Sequence, residues 1–91
     1  MVPPTLRLVV DWVHIRDAER RGRRVTPVAL ALAEQTRFRA GQITPEAVVV
    51  IDDLTGAPVR YAPHPSLAAY LRRFATGEPV TPAEFVLELL A

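Results

Sequence analysis

Hydrophobic and polar positions alternate most plainly near the start of the chain. Over residues 6–15, Leu6, Leu8, Val10 and Trp12 fall on one face and Arg7, Val9, Asp11 and Val13 on the other, which predicts a strand. A second period runs through the same segment, because Leu6, Val9, Val10 and Val13 also make a helical stripe. The density of β-branched residues favours the strand. On that reading Trp12 anchors the core, and His14 is a partly buried, hydrogen-bonded histidine at the strand's end rather than a ligand.

Further along, the period lengthens. Residues 17–24 read as a charged turn centred on Gly22. Thr26 and Pro27 then have the chemistry of an N-cap and first helical residue, and predict a helix to about Arg39 with Val28, Ala31, Leu32 and Phe38 on its apolar face. The run Ala47-Val48-Val49-Val50-Ile51 predicts a strand covered on both faces. Asp52 to Pro58 is turn chemistry, with Asp53 bonding the turn backbone and Gly56 at positive φ, and Val59-Arg60-Tyr61 returns as a second strand. Ser66 is expected to cap a helix to about Ala75. Leu67, Tyr70, Leu71 and Phe74 share its inner face, Arg72 and Arg73 point out, and Gly77 ends it. Thr81-Pro82-Ala83-Glu84 resembles a capping box opening a last helix that runs to the C-terminus.

These elements predict one α+β domain over residues 1–91, in the order β-α-β-β-α-α. The expected architecture is a small mixed three-stranded sheet with helices packed on it. A right-handed crossover would make the first two strands parallel. A three-stranded sheet also leaves two edges, and pairing between chains is one way to cover them.

Charge changes the picture more than composition does. All 11 basic residues are arginine, and Arg16, Arg20, Arg21, Arg23 and Arg24 fall in one short stretch. Residues 1–41 carry eight Arg against four acids, a net of +4, and residues 42–91 carry three Arg against six acids, a net of −3. The overall +1 therefore conceals a dipolar molecule. Such asymmetry points to an acidic partner or to a self-complementary one. Arginine also binds phosphate bidentately, which makes nucleic acid the second reading of the cluster. Against nucleic acid stand the interspersed Asp17 and Glu19 and the lack of an aromatic residue within the cluster for base stacking. A plain solvated turn is the leading reading of the cluster, ahead of nucleic acid and of an acidic protein partner.

The predicted last helix has an apolar arc wider than one sheet needs. Phe85, Val86, Leu89 and Leu90, with Leu87, are accordingly expected at an interface with a second copy or another protein, the equal alternative being a terminal helix buried in a groove of its own domain.

Catalytic chemistry has little material. With no cysteine, thiolate nucleophiles, disulfides and thiolate metal sites are excluded. Asp52, Asp53 and His64 are the one set with the chemistry for a divalent ion or acid–base work. Adjacent strand residues point to opposite faces, however, so the two carboxylates are not expected to converge. No metal, cofactor or small-molecule substrate is implied, and no stretch is apolar enough to span a bilayer. The start of the chain does not read as a secretory leader, so a cytoplasmic protein is expected. Nine prolines and the scarcity of thermolabile residues suit a thermophile, and equally a GC-rich genome. The expectation is a non-enzymatic protein–protein interaction module, homodimeric, with a nucleic-acid-binding accessory or regulatory protein as the alternative.

Overall fold

The computed structural model describes residues 2–90, so Met1 and Ala91, the ends of the expected domain and last helix, lie outside the described residues. The chain is α+β. Its elements are β1 (Thr5–Val10), α1 (Trp12–Arg20), α2 (Pro27–Gln35), β2 (Phe38–Ile43), β3 (Val48–Asp52), β4 (Pro58–Tyr61), α3 (Pro65–Ala75) and β5 (Ala83–Glu88).

The expected three-stranded sheet is present as β2-β3-β4, and β1 and β5 form a second, two-stranded one. Every pairing is antiparallel, so the parallel crossover does not occur. Among the described residues the two sheets meet at one bridge, Tyr61 opposite Leu89. There the Ala62 N–H donates to the Glu88 carbonyl at 2.7 Å and the Leu90 N–H to that of Arg60 at 3.0 Å. Tyr61 is wholly buried at this joint, edge-on to Phe38, and its hydroxyl donates to the Pro3 carbonyl at 2.8 Å. Burial pushes its phenol pKa up against the opposing charge of Arg37.

Both periods seen in residues 6–15 are real, one after the other. Leu6, Leu8 and Val10 point inward from β1, and the chain then switches to helix. Asp11 is the N-cap. Its carboxylate accepts from the N–H groups of Trp12 and His14, and the His14 ring accepts from the Asp11 N–H at 2.9 Å. This is a capping box with histidine where Glu or Gln usually stands. Because Nδ1 accepts from an amide, His14 is the Nε2–H tautomer, donating to Glu34 Oε1 at 3.0 Å. His14, Ile15 and Ala18 form the buried face of α1.

The helix ends in a Schellman motif, with the Gly22 N–H on the Glu19 carbonyl and the Arg23 N–H on that of Ala18, both at 3.0 Å. The charged turn is thus shorter than expected. α2 begins on Thr26 and Pro27 as read, with the Thr26 hydroxyl accepting from Ala29 N at 3.1 Å. It stops at Gln35 rather than near Arg39, because Phe38 turns into the core as the first residue of β2. α3 is capped by His64 rather than Ser66. The His64 ring accepts from the Ser66 N–H at 3.2 Å, and the inner face is the expected one.

The last element is the main correction. Residues 83–88 are a strand, β5, registered with Phe85 opposite Leu8 and Leu87 opposite Leu6, all four side chains inward. Glu84 does not reach back to cap a helix. It accepts from Arg7 on the outer face of the sheet at 2.9 Å.

The far edge of β1 is blunted by a side chain. The Val9 N–H donates to Gln35 Oε1 at 2.9 Å, and Gln35 Nε2 donates to the Val9 carbonyl at 2.6 Å. One glutamine amide thereby imitates a residue of a neighbouring strand, and Pro3 and Pro4 further shorten the edge. Gln35→Ala should cost about 1 kcal/mol, the net worth of exposed neutral hydrogen bonds. Hydrogen exchange at the Val9 amide should accelerate, and unchanged exchange would show that the clamp is not formed in solution.

An exposed tryptophan and arginine face on the first helix

The helical start at Trp12 decides where the candidate residues point. At 3.6 residues per turn, Trp12, Arg16, Arg20 and Val13 fall within an arc of about 100°, opposite the buried arc of His14, Ile15 and Ala18. Trp12 is accordingly 47% exposed and Val13 69% exposed, not in the core. Val9, also exposed, is three residues from Trp12 and so within about 11 Å along the chain. Exposed apolar side chains thus lie on both sides of the junction between β1 and α1.

The five clustered arginines divide into two groups. Arg21 pairs with Asp17 at 3.2 Å, a helical i,i+4 contact. Arg23 sits at φ 61° and is tied down on three sides. It donates to the Phe74 carbonyl at 2.8 Å, pairs with Glu19 at 3.3 Å and lies 4.5 Å over the Phe74 ring. Arg23 therefore fastens the end of α1 to α3. Arg16, Arg20 and Arg24 are exposed and have no ion pair or side-chain hydrogen bond among the described residues.

Much of the charge asymmetry is consumed within the fold. Arg7 meets Glu84 at 2.9 Å, Arg37 meets Asp52 at 3.3 Å and Arg39 meets Asp53 at 3.1 Å. Each pair joins the basic half of the chain to the acidic half. The positive charge left over is concentrated on α1 and the residues just after it.

Asp52 and Asp53 do diverge. Asp52 is buried, and its carboxylate receives Arg37 and the Leu54 N–H, the latter at 2.9 Å. The turn bond expected of Asp53 is thus made by Asp52, while Asp53 lies outside against Arg39. His64 is engaged as the cap of α3. Among the described residues, no group of three or more His, Asp or Glu side chains is placed to hold a metal ion.

The expected interface residues do not share one face. Phe85 is 4% exposed and belongs to the core, whereas Val86 points outward beside Arg7. Leu89 and Leu90 follow β5 at the joint between the sheets and are partly exposed. A strand sends neighbours to opposite sides, so the wide helical arc does not exist.

Sequence reasoning places Trp12 in the core, with an interface as the other place for it, and does not foresee its exposed position on α1. The signal was available in Asp11 followed three residues later by His14, once histidine is allowed as the reciprocal member of a capping box. No helix among the described residues is long and apolar enough to cross a membrane. The chain matches no protein-family model, no curated protein and no solved structure. The functional reading therefore rests on this geometry.

Proposed function

We propose that this protein is a non-enzymatic interaction module, acting in the cytoplasm, that docks an acidic, apolar-bearing segment of another protein on the outer face of α1. One observation carries the reading: the chain's single tryptophan is half exposed on the same helical face as two unpaired arginines. Tryptophan and arginine are the residue types most enriched among interface hot spots. Val9 and Val13 widen the apolar contact, and Arg16, Arg20 and Arg24 call for carboxylates.

Charge complementarity argues for a different chain over a second copy. Glu84, Asp52, Asp53, Asp17, Glu19 and Glu34 are all engaged within their own molecule. A second copy thus offers few free carboxylates. Nucleic acid gains from an aromatic ring beside Arg16, which the sequence reading had lacked. It remains the weaker fit, because the patch is a convex helix with acids interspersed rather than a basic groove.

Trp12 makes the surface its own reporter. Titration with an alternating Glu/Leu peptide should shift and quench its emission, salt should weaken the complex, and the joint replacement of Arg16 and Arg20 by Ala should abolish it. Trp12→Ala should cost about 2 kcal/mol or more of binding, while stability changes by no more than about 0.5 kcal/mol. Oligothymidylate should leave the emission unchanged. A response to the oligonucleotide with none to the peptide would transfer the site to nucleic acid, and silence to both would overturn the proposal.

A further inference from the structure

On another face of the molecule, α3 and β5 enclose a cleft of about 480 Å³, within the range of small-ligand sites. Its walls include Ser66, Tyr70 and Arg73 from α3, Thr81 from the connection to β5, and Glu84 and Phe85 from β5. Ser66, Tyr70 and Arg73 recur at helical spacing and so line one side of α3 along about 10 Å, with the Ser66 hydroxyl donating to His64 Nδ1 at 2.8 Å.

Two of these groups lack partners. Tyr70 is only 9% exposed, and its hydroxyl is the one buried side-chain polar atom among the described residues without a hydrogen bond. A buried donor left unmade costs about 1–3 kcal/mol, so such groups are rare in native folds without a role. Burial also pushes the Tyr70 phenol up to about 12, keeping it a neutral O–H donor near neutral pH. The Arg73 guanidinium has no ion pair or hydrogen bond among the described residues. Glu84, the one acid in the walls named above, is engaged by Arg7 at 2.9 Å. The edge-on rings of Tyr70 and Phe85, with centroids 5.2 Å apart, supply an apolar wall.

We infer that this cleft binds a small molecule carrying an oxyanion, carboxylate or phosphate, on an apolar body. Arg73 holds the oxyanion, the Thr81 hydroxyl supplies a further donor, the ring wall packs the apolar part, and the ligand draws out the Tyr70 hydroxyl, buried in the free protein, to make its unmet hydrogen bond. The site goes beyond the α1 docking surface and does not depend on it.

Benzoate and phenyl phosphate share a ring and differ in the oxyanion, so together they test the class and distinguish its two sources. On titration, the Arg73 Nε–H and the backbone amides of Ala69 and Thr81 should shift saturably in a ¹H–¹⁵N NMR spectrum. Arg73→Gln should weaken binding roughly tenfold or more, the worth of a charged hydrogen bond. Tyr70→Phe should weaken it roughly threefold to tenfold for a neutral one. In ligand-free protein, Tyr70→Phe should leave Tm unchanged or raised, since an unmet donor is removed. Saturable shifts with either compound that fall in both variants sustain the assignment. Absence of saturable shifts with both compounds, or unaltered binding by Arg73→Gln or Tyr70→Phe, overturns it.

Discussion

Phe85→Ala should lower the unfolding free energy by about 3–5 kcal/mol, a large part of what a domain of this size has. The ring is 4% exposed, lies opposite Leu8 across the β1–β5 pair and meets Tyr70 edge-on at 5.2 Å between centroids. Its removal leaves a cavity between the β1–β5 sheet and Tyr70 of α3, and a strand held in register by β1 collapses poorly into it. The neighbouring Val86 is 50% exposed, and Val86→Ala should change stability by about 0.5 kcal/mol or less. The pattern is diagnostic. A strand makes Phe85 and Leu87 costly and Val86 cheap, whereas a helix would group Phe85 with Leu89. Urea midpoints for the four alanine variants decide between them, and equal losses at 85 and 86 would refute the β5 register.

Asp52→Ala should cost about 2–3 kcal/mol, by removing one side of a buried, charge-assisted cluster. The carboxylate, 6% exposed, joins Arg37 at 3.3 Å to the Leu54 N–H at 2.9 Å. It thereby fixes the turn between β3 and β4 against the strand β2. Arg37 is 38% exposed and can recover water, which keeps the loss below that of a fully buried pair. Asp52→Asn should lose less, because its amide oxygen can still accept from Leu54. Mg²⁺, Mn²⁺ and Zn²⁺ should leave the Tm of the unaltered protein where it is. An ion-dependent rise that Asp52→Ala abolishes would show that this cluster is a metal site instead.

How far the sequence speaks for itself depends on how far apart the interacting residues lie. The β3–β4 hairpin, the Thr26-Pro27 start of α2, the inner face of α3 and Gly77 after it are all local, and all are where the sequence puts them. β2 was not legible, because Phe38-Arg39-Ala40-Gly41-Gln42-Ile43 has little strand propensity of its own. It is a strand because β3 lies beside it. At its bulge a Cβ on Gly41 would come 3.1 Å from the Val49 carbonyl oxygen, so a small residue there reflects a neighbour that spacing alone does not reveal. β5 was misread for a related reason. Val86 breaks its alternation, Thr81-Pro82-Ala83-Glu84 imitates a helix start, and its true partner is at the other end of the chain. The arginine cluster was visible at once. Which of its members are free was not, because Arg23 is committed to Phe74 and because Trp12 joins the cluster only when residues 12–20 are helical.

The pairing of β1 with β5 also sets an order of events. Arg7 and Glu84 touch across 77 residues of chain, and every contact along that ladder spans a comparable loop. Such closures are slow, since chain entropy is lost before the pairing returns anything. The β3–β4 hairpin and α3 can form while the rest of the polypeptide is still emerging from the ribosome. Leu6, Leu8 and Val10 can pack against α2 early, but the edge of β1 that pairs with β5 stays open until residues 83–88 have been made. During that interval the chain displays an open strand edge, a template on which another chain could pair.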